Sequence, residues 1–250
     1  MLPFVEAVVG VGLTLALAVA AVLARALTPV AGAAAAVFGS AIVILAGFPY
    51  LLLLVLFVVA SVLATRYGFD EKRRGKVQEG REGERGLSNV LAHILLPVGL
   101  VLLAAYDPTV LPSFGLALLY ASALAFGAAD TFASEFGVLA GHAVSILTLR
   151  PVRAGTNGGV STTGEVWAIV GAILTAVVGL TLFYLFGTDV PSPPIFLLGV
   201  SIAGFVGCQV DSLLGETLEN RGYLTKGSTN FLAMVSSILV ASLWLGVMGG

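Results

Sequence analysis

Apolar and polar residues alternate along the chain in long blocks. The apolar blocks cover, in order, about residues 4–27, 29–47, 49–65, 87–106, 110–129, 166–187, 194–215 and 229–248. Runs of roughly 17 to 25 apolar residues are long enough to cross a hydrocarbon core about 30 Å thick as helices. The pattern therefore predicts an all-α, polytopic transmembrane bundle of about eight spans.

The links between these blocks are short, apart from one polar insert. Proline stands at several of the breaks, where it lacks a backbone donor and disfavours a continued helix. The insert, residues 66–86, is polar and basic. We expect a single transmembrane domain over residues 1–250, made of three N-terminal spans (1–65), this basic loop and a five-span core (87–250) that carries the polar motifs.

One apolar segment does not fit this count. Residues 136–149 are apolar, but a run of about 14 residues is too short for a span. We expect a re-entrant or interfacial helix there, although the pattern leaves a further span open.

Composition places the chain among integral membrane proteins. It is 58% hydrophobic and 10% charged, with a mean hydropathy of +1.04, outside the range of soluble domains. The first apolar block lacks preceding basic residues and is too long for a signal peptide, so we expect a permanent span. The lone cysteine, Cys208, excludes a disulfide framework within the chain.

The basic residues indicate an orientation. Seven of the twelve Lys and Arg residues fall within 66–86, and short basic loops stay in the cytoplasm. With eight alternating spans, the other five fall on the same side: Arg25, Arg150, Arg153, Arg221 and Lys226. We therefore predict a multi-pass protein of the cell membrane with both termini outside.

Polar motifs recur in order at the predicted cytoplasmic face. A Gly, then Ser or Thr, then Asn stands before or at the start of three spans, ending at Asn89, Asn157 and Asn230. Two other spans end in Asp, then Ser or Thr, with Glu five residues after the Asp, at 130–135 and 211–216. Both copies begin on the same side and are parallel repeats, whereas many transporters are built from inverted repeats. This arrangement favours a site that faces the cytosol.

The acidic motifs have the chemistry of a magnesium site. Carboxylates close to a membrane interior are costly and are usually paired, hydrated or functional. Mg²⁺ takes one or two carboxylates together with phosphate oxygens. We predict that Asp130 and Asp211 converge as catalytic metal ligands, with Glu135 as a further catalytic residue and Glu216 as a further metal ligand. A solvated helix end is the alternative interpretation.

The glycine-rich link at 154–164 has the chemistry of a phosphate site. It offers glycines, hydroxyls and an amide directly before a helix N terminus, which attracts anions. It is no Walker A motif, and a plain turn, with the asparagines as simple helix caps, stays open. The predicted phosphate-binding residues are Asn89, Arg150, Arg153, Gly155, Thr156, Asn157, Gly158, Gly159, Ser212, Lys226 and Asn230.

Other polar residues indicate simpler roles. His93 and His142 are typical of packed histidines, and no His or Cys cluster indicates zinc. The loop 66–86 is suited to anionic lipid headgroups and lacks the aromatic interleaving of a nucleic-acid binder. We therefore expect a lipid bilayer and small molecules as partners and no nucleic acid, while the oligomeric state stays open.

Three sequence blocks resemble a known family. They are G-A-A-D-T-F-A-S-E-F-G at 127–137, V-R-A-G-T-N-G-G-V-S-T-T-G at 152–164 and V-D-S-L-L-G-E-T-L-E at 210–219. In this order they resemble the signature blocks of integral membrane proteins whose best-known member is the plant phytyl-phosphate kinase of tocopherol synthesis. The resemblance runs from about Glu84 to the C terminus.

This resemblance implies a reaction. The expected activity is phosphorylation of an isoprenoid monophosphate, such as phytyl or geranylgeranyl phosphate, to the diphosphate by a nucleoside triphosphate with Mg²⁺. Related polyprenol kinases use CTP, which makes CTP the expected donor. Phosphoryl transfer depends on positioned phosphates and charge neutralisation more than on a protein nucleophile, which agrees with the predicted residues.

Two other functions stay open at this stage. A cytidylyltransferase that joins CMP to a lipid phosphate needs the same metal and phosphate groups, but releases pyrophosphate. A small-anion transporter needs polar groups along a path, and the first three spans carry few.

Overall fold

The computed structural model describes residues 4–78, 80 and 83–248. The ends of the predicted domain and residues 79, 81 and 82 of the basic loop lie outside the described residues. The helices are α1 (Phe4–Leu23), α2 (Pro29–Leu45), α3 (Phe48–Arg66), α4 (Phe69–Gly75), α5 (Leu87–Tyr106), α6 (Ser113–Gly137), α7 (Thr162–Leu185), α8 (Pro193–Leu214) and α9 (Lys226–Met248), and the strands are β1 (Ala143–Ser145), β2 (Pro151–Val152) and β3 (Gly159–Val160).

The prediction of about eight membrane spans is confirmed. Within the described part of the chain, seven helices are long and apolar enough to cross a membrane. The eighth, α2, is apolar and has 17 residues, which correspond to about 25 Å. It runs antiparallel to α1 along its length, because Gly10 faces Val43 and Gly32 faces Val22.

One end of the bundle collects the polar motifs. The turn between α1 and α2 lies at this polar end, since Leu27 forms a parallel β-bridge with Arg85. Arg66, the last residue of α3, donates a hydrogen bond to the carbonyl oxygen of Ala24 at the same turn. Alternating helices then place the C-terminal ends of α6 and α8 here, together with the N-terminal ends of α5, α7 and α9.

Helix α6 forms the centre of the bundle. It packs against α3, α5, α7, α8 and α9, and its apolar and small residues are buried on all sides, as expected for a helix without a polar face. A Cβ added at Gly171 of α7 would lie 2.8 Å from the carbonyl oxygen of Ala128, and one added at Gly204 of α8 would lie 2.7 Å from the Cβ of Ala125. This close packing holds α7 and α8 beside the end of α6 that carries Asp130.

The opposite end is closed by aromatic residues. Tyr50 and Tyr120 pack edge to face with ring centres 5.1 Å apart, and Phe183 lies 4.9 Å from Tyr50 and 5.9 Å from Phe196. The Tyr120 hydroxyl donates to the backbone oxygen of Tyr50 at 3.0 Å, which satisfies a polar atom that is fully buried.

The prediction of a re-entrant or interfacial helix over 136–149 is wrong. The described segment contains the end of α6, a 3₁₀ turn (Val138–Ala140) and strand β1. Gly141 stops the helical path with a φ of +73°, a conformation that glycine adopts without steric cost. Strand β1 then pairs antiparallel with β2 and β3 in a three-stranded sheet of order β2-β1-β3.

The described part of the basic loop is folded onto the bundle. Lys72 of α4 is 1% exposed and donates to the backbone oxygens of Ala64 and Thr65 at 2.9 and 3.2 Å. Its ammonium group also forms a salt bridge of 2.7 Å with Glu135 of α6. Helix α4 is therefore attached to both α3 and α6 at the polar end.

Candidate functional site

A cavity of about 190 Å³ lies at the polar end, between the ends of α6 and α8, the start of α7 and the small sheet. We call it the polar cavity. The predicted site residues that line it are Asp130, Glu135, Gly155, Thr156, Asn157, Gly158, Gly159, Asp211, Ser212 and Lys226. The fold thus brings the two acidic motifs and the glycine-rich link to one place.

Asp130 and Asp211 lie within their helices, not at the ends. Helix α6 continues to Gly137, and α8 continues through a π-helical turn from Gly215 to Glu219. Asp211 interacts electrostatically with Asp130, Glu219 and Lys226. Among the described residues that line the cavity, five carry carboxylates (Asp130, Glu135, Glu165, Asp211 and Glu219) and Lys226 carries an ammonium group. Such a mixture suits a ligand that brings both cations and anions.

Asn230 supports Asp211 from the first turn of α9. With its amide oriented to satisfy both polar atoms, Asn230 donates to Asp211 Oδ1 at 3.2 Å and to the backbone oxygen of Lys226 at 2.9 Å. The third copy of the Gly, Ser or Thr, Asn motif therefore holds a carboxylate of the second acidic motif, outside the cavity lining itself.

The glycine-rich link is fixed against the end of α8. Gly158 has a φ of +77°, and a Cβ at this position would lie 2.3 Å from Cβ of Glu216 and 2.9 Å from the carbonyl oxygen of Ser212. The Asn157 amide donates to Glu219 Oε1 at 2.9 Å, and the Asn220 amide donates to the backbone oxygen of Asn157 at 3.2 Å. Only glycine allows this left-handed, close approach of the loop.

The start of α7 has its own cap. The Ser161 hydroxyl accepts a hydrogen bond from the backbone N–H of Gly164 at 3.1 Å. Glu165 follows in the first helical turn, lines the polar cavity and accepts a hydrogen bond from Gln209 at 2.8 Å. Any phosphate at this helix end therefore meets backbone donors beside a carboxylate, so that a bound cation is needed to balance the charge.

The remaining predicted residues lie outside the cavity lining. Arg150 is exposed, and Arg153 donates to the backbone oxygen of Gly75 at 2.9 Å, beyond the cavity wall. Asn89 accepts a hydrogen bond from Arg85 Nη1 at 3.0 Å on the α5 side of the bundle. These three residues therefore contact other parts of the polar end than the carboxylates do.

The glutamates of the two acidic motifs each connect their helix to another element. Glu135 accepts hydrogen bonds from Thr65 Oγ1 and Lys72 Nζ, both at 2.7 Å. Glu216 accepts hydrogen bonds from Ser145 Oγ at 2.5 Å and from the backbone N–H of Leu147 at 3.3 Å. Both carboxylates hold secondary-structure elements together: Glu135 joins α6 to α3 and α4, and Glu216 joins the end of α8 to β1. Glu216 lies outside the cavity lining.

Among the described residues with ionisable side chains that line the cavity, sequence reasoning missed Glu165, Cys208 and Glu219. Glu165 had a detectable signal, because an acid at the start of an apolar run is rare unless it has a function or a partner. Glu219 had none, since its approach depends on the π-helical turn, a local widening of the helix that is frequent at functional sites.

The cavity residues fit a magnesium ion that is shared with phosphates. Among the described residues, no group of three or more His, Cys, Asp or Glu side chains is close enough to hold a metal by itself. Asp130 and Asp211 both line the cavity with carboxylates, and Mg²⁺ typically combines one or two carboxylates with phosphate oxygens and water. The donor set therefore suits a metal that arrives with a phosphate ligand.

Comparison with known proteins places this fold in a family. A family model described as "Integral membrane protein DUF92" matches residues 12–240. An uncharacterised membrane protein of Methanocaldococcus jannaschii is 33% identical over 201 residues, which cover 80% of this chain and 77% of that protein. No solved structure matches the chain.

Two further relatives have a similar identity. An uncharacterised membrane protein of Synechocystis is 32% identical over 200 residues, covering 79% of this chain and 73% of that protein. Protein PGR of Arabidopsis thaliana is 32% identical over 199 residues, covering 71% of this chain and 67% of that protein.

Proposed function

The chain belongs to the DUF92 family of integral membrane proteins, and we propose that it is a kinase that converts an isoprenoid monophosphate, such as phytyl or geranylgeranyl phosphate, to the diphosphate. One observation carries the proposal. The polar cavity combines two aspartates from parallel motifs with a glycine-rich loop and a lysine, at the end of the bundle that collects the polar motifs.

The reaction is transfer of the γ-phosphoryl group of a nucleoside triphosphate. An oxygen of the lipid monophosphate forms a new bond to the γ-phosphorus, the bond from that phosphorus to the bridging oxygen breaks, and the nucleoside diphosphate leaves. The attacking oxygen is already anionic, so no protein side chain has to remove a proton. This chemistry needs mainly positioning and charge neutralisation.

Each group in the polar cavity has a role in this scheme. Asp130 and Asp211 would hold Mg²⁺, which supplies positive charge between the phosphates when bound. Lys226 adds a second cation, and the backbone around Gly155 and Gly158 approaches phosphate oxygens closely. Asn230 keeps Asp211 in position through its amide.

The size of the cavity supports a division of the substrates. Ligand pockets typically measure about 300 to 1,000 Å³, whereas the polar cavity measures about 190 Å³. It suits the triphosphate end of the nucleotide and the metal. The nucleoside extends from it towards the aqueous side, and the lipid monophosphate approaches it from the apolar helices.

A product assay tests the proposal. Purified protein is incubated with Mg²⁺, geranylgeranyl or phytyl monophosphate and each nucleoside triphosphate in turn, and the products are identified by mass spectrometry. We expect the prenyl diphosphate and the nucleoside diphosphate, with CTP as the preferred donor. A CDP-lipid with pyrophosphate would instead identify a cytidylyltransferase, and no turnover of either lipid with any nucleotide would contradict both activities.

A further inference from the structure

An apolar groove lies between α1, α2 and α3. It has a volume of about 330 Å³, and its one polar lining residue, Thr14, donates its hydroxyl hydrogen to the backbone oxygen of Gly10 at 2.8 Å. On the α3 wall, Val59 and Leu63 are 47% and 64% exposed, so that the groove opens on the lipid-facing surface. The space between the helices stays open because small side chains line it: Ala18, Ala20, Ala21, Ala24, Ala35 and Gly39.

The groove has the length of one lipid chain. Its α3 wall runs from Leu51 to Leu63, which is about 18 Å at 1.5 Å per residue. One leaflet of a bilayer contributes about 15 Å to the hydrocarbon core. A single hydrocarbon chain can therefore lie along the groove towards the polar end of the bundle.

A small cavity of about 60 Å³ extends the groove towards the polar end of the bundle. The two cavities have Leu27, Ala35, Leu54 and Val58 in common, and the smaller one is also lined by Arg85, Ser61, Asn89 and His93. We call these four residues the groove terminus, to distinguish them from the polar end of the bundle. An apolar channel thus leads directly to a buried cation.

The groove terminus brings polar side chains to a small cavity whose exposed wall is mostly apolar. Ser61 is 1% exposed and lines the small cavity, and its hydroxyl has no hydrogen-bond partner among the described residues. Arg85 is 7% exposed, and its guanidinium donates to Asn89 Oδ1 at 3.0 Å and to Thr65 Oγ1 at 3.4 Å. A buried hydroxyl and a guanidinium that line one cavity can both donate hydrogen bonds to an anionic oxygen ligand.

We infer that the apolar groove binds the isoprenoid chain of the lipid monophosphate and that Arg85 and Ser61 bind its phosphate end. The identity of the lipid rests on the proposed function. The positive charge at the end of an otherwise apolar channel complements a ligand with one long tail and one anionic head. The single channel accommodates one chain, whereas a diacyl phospholipid brings two.

Hydrogen bonds connect this site to the polar cavity. Thr65 Oγ1 accepts a hydrogen bond from Arg85 and donates to Glu135 Oε1 at 2.7 Å, and Glu135 lines the polar cavity. His93 packs on Gly127 of α6, three residues before Asp130 and thus on the same helical face. A phosphate held at Arg85 is therefore connected to the polar cavity through Thr65 and Glu135.

A crosslinking experiment tests the site without requiring catalysis. Purified full-length protein is irradiated with geranylgeranyl monophosphate that carries a diazirine near the end of its tail, and the labelled residues are mapped by mass spectrometry. We expect labels on the walls of the groove in α1 and α3. Excess unlabelled geranylgeranyl monophosphate should prevent labelling, whereas phosphatidate and the uncharged alcohol geranylgeraniol should not.

Two substitutions on α2 provide a matched pair. Ala35→Phe fills the groove where it joins the small cavity, while Ala33→Phe adds the same side chain at an exposed position outside either lining. We expect Ala35→Phe to reduce labelling at least tenfold and Ala33→Phe to leave it unchanged. Labels elsewhere in the bundle, equal labelling of both variants or competition by phosphatidate would each overturn the inference.

Ligands with and without a phosphate head group test the role of Arg85. Arg85→Gln should weaken the affinity for geranylgeranyl monophosphate about tenfold, the effect of losing one charge-assisted hydrogen bond, and leave the affinity for geranylgeraniol unchanged. Arg85→Lys should restore part of the affinity. Ser61→Ala is a smaller change that keeps the test possible if Arg85→Gln does not fold. If the affinity for geranylgeranyl monophosphate is unchanged in both Ser61→Ala and Arg85→Lys, the phosphate does not bind at this site.

The outcomes separate this inference from the proposed function. If the protein crosslinks in the groove but makes no diphosphate, the lipid site is supported and the proposed kinase activity is contradicted. If the protein makes the diphosphate, and if Ala35→Phe and Ala33→Phe have equal KM values for geranylgeranyl monophosphate, the kinase activity is supported. The groove is then contradicted as the lipid site.

Discussion

At the scale of single residues, the polar cavity depends on charges placed where the membrane makes them costly. Asp211 lies in a transmembrane helix beside Asp130 and Glu219, with Lys226 as the nearby cation. Side chains in such positions are usually paired, hydrated or functional. Asn230 adds an amide hydrogen bond to Asp211 at 3.2 Å. In the proposed function, Mg²⁺ offsets the charge of these acids.

Replacing Asp211 tests this explanation. Asp211→Asn keeps the size of the side chain and removes the charge of a metal ligand, so we expect a fall in kinase turnover of more than about 100-fold in a folded protein. The matched control is Asp189→Asn, the same change at an exposed position on the opposite end of the bundle. Turnover within a factor of about two of the control would remove Asp211 from the site.

Glu135 illustrates a second use of buried charge. Its carboxylate contacts Thr65 and Lys72, and the side chains of the ion pair with Lys72 are 8% and 0% exposed. Both ions are thus removed from water and each depends on the other. Breaking such a pair by removing one partner is strongly destabilising.

We therefore predict a structural effect at Glu135. Glu135→Gln should lower the free energy of unfolding by about 3 to 5 kcal/mol, because it leaves the Lys72 ammonium buried without its counter-charge. The double variant Glu135→Leu with Lys72→Met should recover most of that loss. Thermal unfolding in detergent measures both variants. A Glu135→Gln protein of unchanged stability that has lost turnover would instead indicate a direct role in the reaction.

At the scale of secondary-structure elements, the site is made by the way the glycine-rich link meets the end of α8. The link follows strand β2 and is hydrogen-bonded to the π-helical turn through Asn157 and Asn220. Gly158 approaches Ser212 and Glu216 too closely for any side chain. The loop and the second acidic motif therefore form one rigid wall of the polar cavity.

Substitution of Gly158 tests this contact. Gly158→Ala places a Cβ about 2.3 Å from Cβ of Glu216 and should displace the loop, lowering kcat/KM for the nucleotide about 10- to 100-fold. Gly222→Ala is the matched control, because Gly222 has a similar φ of +78° with nothing within 4 Å of an added Cβ. Both variants carry the strain of the left-handed backbone, about 1 to 2 kcal/mol. Equal kinetics for the two variants would contradict a role for the loop contact.

The sequence predicted the elements better than their connections. Apolar run lengths located the transmembrane helices, and the motif order located Asp130, Asp211 and the glycine-rich link. The run length also misled at 136–149, because a short apolar segment fits a strand in a small sheet as well as a helix. Gly141, with its positive φ, was the local signal for a break.

The partners of the polar residues were beyond sequence reasoning. Nothing in the spacing of Lys72 and Glu135 indicates their contact, since it is made between elements 63 positions apart in the chain. Arg85 was counted only as a basic residue of a loop, yet it is 7% exposed and lies at the end of the apolar groove. Such pairings depend on tertiary packing, which periodicity and local composition do not encode.

At the scale of the whole molecule, function depends on all polar motifs being at the same side of the membrane. Helices α1 to α3 and α5 to α9 alternate in direction, so the motifs at the ends of α6 and α8 meet those at the starts of α5, α7 and α9. The apolar groove reaches this polar end at Arg85, next to the polar cavity. In the proposed reaction, the lipid phosphate approaches from the bilayer and the nucleotide from the aqueous phase.

This arrangement makes a prediction about orientation. Nucleoside triphosphates are available in the cytoplasm, and the basic residues predict the same side for the polar end. In the variant Cys208→Ala, a cysteine at Tyr223 in the α8–α9 link should react with a membrane-impermeant maleimide only after the cells are permeabilised. A cysteine at Thr188 in the α7–α8 link should react in intact cells. The reverse pattern would place the polar cavity outside, away from its nucleotide, whereas labelling of both sites in intact cells would contradict the passage of α8 through the membrane between them.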